Sequence, residues 1–367
     1  MKTVTTLRQT DPILLTVTLF LVAIGLAMVY STSAILAQER YGDSLYFLKR
    51  QTMWAVLGLL ALWGARCVPY RVQQRLTMPC VYVTLVVLIL VLLPAVGKEV
   101  GGARRWLALG PLALQPSEFA KYVLILYLAR LLAKQQEAGQ RAASSYLPHV
   151  CMLGLFCLLI FSQPDLGTAV GLAATAGLLL LVAGIPWRYL GYTAVGALPV
   201  LYWGLVHVNF RWDRLMVFLN PWVDPQGSGY QPVQSLYALG QGGLFGIGLG
   251  QSQQKLFFLP EAHTDFIFAI IGEELGFVGT VGLVLLFLVL LWRILRIALA
   301  CSDPFGILLG LGVFLGLAIQ ILMNLGVVVV LLPTKGLPLP FISLGGSNLL
   351  VSLAAVGTML NIAQDTK

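Results

Sequence analysis

Apolar runs of bilayer-crossing length recur ten times along this chain, near residues 13–37, 50–65, 77–96, 117–133, 147–163, 167–185, 189–208, 266–292, 304–332 and 342–362. A hydrocarbon layer of ~30 Å needs ~20 helical residues to span it. Only helices or closed barrels satisfy their own backbone hydrogen bonds there. The runs therefore predict an all-α polytopic membrane protein of about ten transmembrane helices, read as one integral membrane domain over residues 1–367. Composition agrees. Of 367 residues 58% are hydrophobic and 10% charged, whereas a soluble domain carries about 25% charged residues. The first run has no convincing small-residue cleavage site and reads as an uncleaved span. Spans five and six are separated only by Gln163-Pro164-Asp165; were that a kink inside one element, every later loop would change side.

Short-loop Lys and Arg set orientation. Twelve fall on the side of the N-terminus and seven on the other, which predicts cytoplasmic termini in a multi-pass membrane protein. The one long loop, about 209–264 between helices 7 and 8, is then extracytoplasmic. The formal charge of +8 does not indicate nucleic acid, because the basic residues are scattered through short loops and form no single face. Anionic membrane lipids and phosphorylated lipids are the expected partners. Cys67, Cys80, Cys151, Cys157 and Cys301 are odd in number and lack metal-ligand spacing, so no disulfide framework is expected.

Ionisable residues at membrane depth are expensive and are candidates for function. Glu118 and Lys121 open span four at i and i+3, where they share a helix face and can pair; a neutralised structural pair is the plainer reading. Asp165 follows Pro164 at the start of span six, where it can cap the helix, serve a site, or do both. Glu273 and Glu274, two turns into span eight, need partners or a polar cavity.

The long loop holds a turn-rich stretch, Asp224 to Gln231, and a glycine-dense run, Gly240 to Gly250. The run lacks the strand and acidic residue of a dinucleotide cradle, so backbone packed closely on helices or on a lipid-linked substrate is expected. The loop ends in Lys255 and in Glu261-Ala262-His263-Thr264-Asp265. Asp265 stands where span eight begins, and the helix dipole favours its ionised form, which suits a base. The alternative is capping by Thr264 or Asp265. Between spans nine and ten, Pro333, Pro338 and Pro340 stiffen a hairpin that carries Lys335 and leads to Ser343. A rigid turn and a substrate lining are both open there.

These segments together resemble the SEDS family (shape, elongation, division and sporulation proteins). The resemblance rests on Gly42-Asp43 with Tyr46 to Gln51, Gly102 to Trp106, Gln115 to Lys121, Gln163 to Thr168, Pro260 to Phe268 and Leu332 to Ser347. Gln254-Lys255-Leu256 and Pro333 to Gly336 lean towards its division branch; Leu344 and Asn348 depart from the usual residues. The resemblance implies a peptidoglycan glycosyltransferase that polymerises lipid II at the outer face of the cytoplasmic membrane, with Asp265 as catalytic carboxylate. Glu118, Lys121 and Asp165 would support it from the polar interior, with Glu261, His263 and Ser343 nearby. Arg104, Arg105, Lys255, Lys335 or a divalent cation, magnesium or manganese, would neutralise the pyrophosphate leaving group. Expected partners are lipid II, the nascent glycan strand, a class B penicillin-binding protein and other cell-division proteins. A lipid II flippase and a non-catalytic divisome scaffold are the alternatives.

Overall fold

The computed structural model describes residues 11–100, 102–110, 112–139, 146–206, 217–334 and 336–365. Lys335 lies outside them. Ten long helices follow the ten expected spans: α1 (Pro12–Tyr41), α2 (Tyr46–Cys67), α3 (Tyr70–Leu90), α4 (Pro116–Glu137), α5 (Tyr146–Phe161), α6 (Leu166–Val182) and α7 (Trp187–Val206). After a shorter loop helix, α8 (Tyr230–Gly242), come α9 (Ile267–Ala300), α10 (Pro304–Val328) and α11 (Gly346–Asp365). Asp-Pro pairs set two of the starts. Asp11 accepts from Leu14 N and Asp303 from Gly306 N, while the following proline supplies the first helical φ. Residues 162–165 form a true turn, since Gln163 N and Asp165 N both bond Ile160 O and α6 packs back on α5. Spans five and six are therefore separate.

Two features add to the spanning helices, and the first departs from an all-helical reading. A three-stranded antiparallel meander, β1 (Gly97–Val100), β2 (Ala103–Leu109) and β3 (Leu112–Leu114), precedes α4. Its turns use Gly102 and Gly110 at positive φ, which glycine adopts without a Cβ penalty. Within the long loop, α8 packs on α9, and the glycine run docks there too.

α11 lies at the centre, packed most extensively on α2. A Cβ at Gly357 would stand 2.2 Å from Leu62 O, so only glycine permits that approach. Polar side chains stitch the interior. Tyr122, Gln73 and Thr358 join α4, α3 and α11, and Asn361 bonds Arg66 O and Tyr70 N across the α2–α3 turn. Outside, Phe20, Trp63, Tyr82, Val83, Leu285 and Leu322 are exposed, an apolar coat that water would not tolerate and lipid would.

Two polar contacts tie α1 to α9 and act as a ruler. Asp11 pairs with Arg293 at one end, and Ser31 Oγ donates to Glu274 at the other, 2.8 Å from each carboxylate oxygen. At ~1.5 Å per residue these anchors are about 30 Å apart along either helix, close to one hydrocarbon thickness. Asp265 precedes the half of α9 that carries Glu274, and the hairpin beside it packs on Gly25 of α1, where a Cβ would stand 2.3 Å from Phe341 O.

Candidate active site

A tight turn presents Asp265. Glu261 takes a left-handed backbone (φ 57°), which is strained for a residue bearing a Cβ. Its carbonyl accepts from Thr264 N at 3.1 Å and Phe266 N at 3.3 Å, and its carboxylate accepts from Thr264 Oγ1 at 2.8 Å. The N-cap of α9 is Phe266, with no side-chain cap. Thr264 and Asp265 lie just before that position. Asp265 is half-buried and lies against the proline hairpin, where a Cβ added at Gly336 would stand 3.0 Å from its Oδ2.

The turn is stitched to its neighbours through backbone. Asn324 Nδ2, from α10, donates to Asp265 O at 2.9 Å and to Leu337 O at 2.7 Å. Ser343 Oγ donates to Thr264 O and accepts from Leu339 N, while Leu344 N bonds His263 O. Gln51 of α2 donates to Ser343 O at 3.1 Å. Buried and fully engaged, Ser343 braces the hairpin. His263 packs on the Phe47 ring with centroids 5.1 Å apart. Burial holds its imidazole below the ordinary 6.5, with Glu261 pulling the other way and Arg40 adding to the depression. It is neutral at pH 7.

A second polar group lies deeper. Glu118, 2% exposed, pairs with Lys121 at 2.9 Å and accepts from Asn348 Nδ2 at 2.6 Å. Lys121 donates to Gln320 Oε1, and Gln320 Nε2 to Pro338 O, both at 2.8 Å. These residues line a cleft of about 640 Å³ between α4, α6, α10 and α11, with Thr168 and Leu337. Gln320 and Asn324, one turn apart on α10, thus connect the cleft to the Asp265 turn through the proline hairpin. Reading the sequence missed both amides. Their signal was two carboxamides at i and i+4 in an otherwise apolar helix. Asp165 caps α6 through Thr168 N and Oγ1 and also lies 3.4 Å from Gln115 Nε2.

The expected cations separate. Arg104 is exposed on β2, paired with Glu99 at 3.2 Å. Arg105 donates to Gln163 O and Pro164 O, fastening the sheet to the α5–α6 turn. Lys255 is 6% exposed and pairs with Glu274 at 2.9 Å, so it is withdrawn from any ligand at the surface. A basic cleft of about 830 Å³ lined by Tyr46, Lys49, Arg50, Met53 and Lys98 opens instead beside the first turn of α2. Phe47, on that same turn, is the residue that touches His263. Among the described residues no three His, Cys, Asp or Glu side chains gather as a metal site. All five cysteines are free.

A family model for cell cycle proteins of the FtsW, RodA and SpoVE type matches residues 12–367. The chain is 43% identical over 361 residues to the "Probable peptidoglycan glycosyltransferase FtsW" of Trichlorobacter lovleyi, covering 98% of this chain and 95% of that one. It is 42% identical to stage V sporulation protein E of Bacillus subtilis over 98% of this chain and 99% of the relative. Among solved structures, a chain of a peptidoglycan synthase complex that coordinates polymerization and crosslinking aligns with TM-score 0.78 at 33% identity, covering 97% of this chain and 98% of that one. Rod shape determining protein RodA of Thermus thermophilus aligns with TM-score 0.69 at 30% identity, covering 97% of each chain.

Proposed function

Because this chain belongs to the FtsW/RodA/SpoVE family of cell cycle proteins, we propose that it is a peptidoglycan glycosyltransferase that polymerises lipid II into glycan strands during cell division. The observation that carries the reading is Asp265: a half-buried carboxylate just before the first turn of α9, held on a strained turn by two hydrogen-bonding side chains from elsewhere in the fold, Asn324 and Ser343.

In this reading Asp265 draws the proton from the acceptor sugar hydroxyl, a step that typically contributes 10²–10⁴-fold. The hydroxyl oxygen attacks the anomeric carbon of the donor, and the bond to the lipid pyrophosphate breaks with inversion. One base suffices, in contrast to the paired carboxylates of many glycosidases. Pyrophosphate leaves as an anion and needs cations more than a proton. Lys49, Arg50 and Lys98 of the basic cleft, together with Arg104 and Lys335, supply them. A divalent cation, magnesium or manganese, would arrive with the pyrophosphate.

Positive-inside counting supports cytoplasmic termini. The contact of the hairpin beside Asp265 with Gly25 of α1, about 20 Å along that helix from Asp11, supports a site in the outer half of the bundle. The synthase complex among the solved relatives supports a crosslinking partner of the class B penicillin-binding type, together with other cell-division proteins.

The test is product formation. Purified protein with its transpeptidase partner and lipid II should make glycan strands, and folded Asp265→Asn should make almost none. Strands from Asp265→Asn in wild-type amount would overturn the assignment. Lipid II translocation without strands would identify a flippase, and recruitment without either activity a scaffold.

A further inference from the structure

The helix that begins just after Asp265 is broken. Gly276 in α9 has φ 68° and ψ −166°, and two of the ladder bonds that would cross it, 277 to 273 and 278 to 274, are replaced. Ile247 N and Gly248 N bond the freed carbonyls of Glu273 and Glu274 at 3.0 and 3.1 Å. Phe277 N and Val278 N bond Gly243 O and Leu244 O at 2.9 and 3.1 Å. A Cβ at Gly246 would stand 2.1 Å from Glu274 O, so the glycine run is the segment that fits. The outer piece, Ile267–Leu275, is thus a short separate helix with Asp265 just before one end and the break at the other.

Two carboxylates pin that far end. Glu273 accepts from Ser252 Oγ and from Gln253 N at 2.9 Å. Glu274, fully buried, accepts from Lys255 Nζ at 2.9 Å and from Ser31 Oγ at 2.8 Å. Lys255 also lies 3.4 Å from Ser31. Loop, half-helix and α1 therefore meet at one buried ion pair.

The geometry points to Lys255, Glu274 and Ser31 as positioning residues for the Asp265 carboxylate, in place of the leaving-group role expected of Lys255. This rests on the proposed reading of Asp265 as the base. A half-helix free to pivot about Gly276 would swing its Asp265 end most, and small misplacements of a reacting group cost heavily in rate. Removing one partner of the ion pair leaves the other uncompensated, whereas replacing both with apolar groups of similar volume is tolerated far better.

The test is initial-rate kinetics on the full chain with its transpeptidase partner in bilayer discs, with folding followed by thermal melting. Lys255→Met should lower kcat by about tenfold or more and leave KM for lipid II within about twofold. The double variant Lys255→Met with Glu274→Leu should recover to within a few-fold of wild type in kcat. If the single variant fails to fold, the double decides: folded and active supports the latch, folded and slow overturns it. A raised KM at unchanged kcat that the second substitution does not restore would make Lys255 a substrate contact. Ser31→Ala should lower kcat severalfold without moving KM, and an unchanged kcat there together with a wild-type Lys255→Met would end the proposal. An Asp265→Asn control of wild-type activity would instead remove the base assignment, and the kcat and KM changes at Lys255 would still be readable.

Discussion

Asn324 holds Asp265 by its backbone, one amide group serving two carbonyls on different segments. Asn324→Leu would strip both Asp265 O and Leu337 O of that donor. Leaving buried acceptors unmatched costs about 1–3 kcal/mol each in stability. The larger effect should be on rate, since the turn and the proline hairpin lose their common tether: kcat should fall by about tenfold or more, measured by strand synthesis on protein that still melts cooperatively. His263 gives a pH dependence. Its folded-state imidazole sits below the unfolded 6.5, so the unfolded chain takes up the proton first. Stability is therefore full above 6.5 and is lost as pH falls through the lower folded value. His263→Phe should flatten that acid limb in thermal melts; an unchanged limb would exclude His263 as its source. Residue patterns made part of this legible. The i, i+3 spacing of Glu118 and Lys121 named a pair that forms. Lys255 misled, because a cation in an outer loop reads as exposed until its partner on α9 is seen.

At the scale of elements, the spans were legible because lipid enforces long apolar runs. Short-range signals failed where tertiary contacts decide. The β1–β3 meander carries arginines between glycine turns and looks like loop. The break at Gly276 was hidden because a glycine in a membrane helix usually stays helical; only docking of residues 243–248 supplies the bonds that release it. Gly276→Ala tests that element. The new methyl would meet Gly246 N at 2.3 Å on a backbone that a residue with Cβ resists. Destabilisation of roughly 1–3 kcal/mol is expected from the backbone alone, seen as a lower melting temperature in detergent. A variant as stable as wild type would mean the helix runs on through position 276.

Across the whole molecule, two polar groups sit at one end of a bundle whose other end holds Asp11 and Arg293. One presents a carboxylate on a braced turn; the other, the Glu118–Lys121 pair, backs it through Gln320, Asn324 and the proline hairpin. The decisive number is the initial rate of glycan-strand formation by Asp265→Asn in the same bilayer, with the same partner and the same melting temperature as wild type. The account predicts a fall of about 10²-fold or more. A rate within twofold of wild type would contradict it.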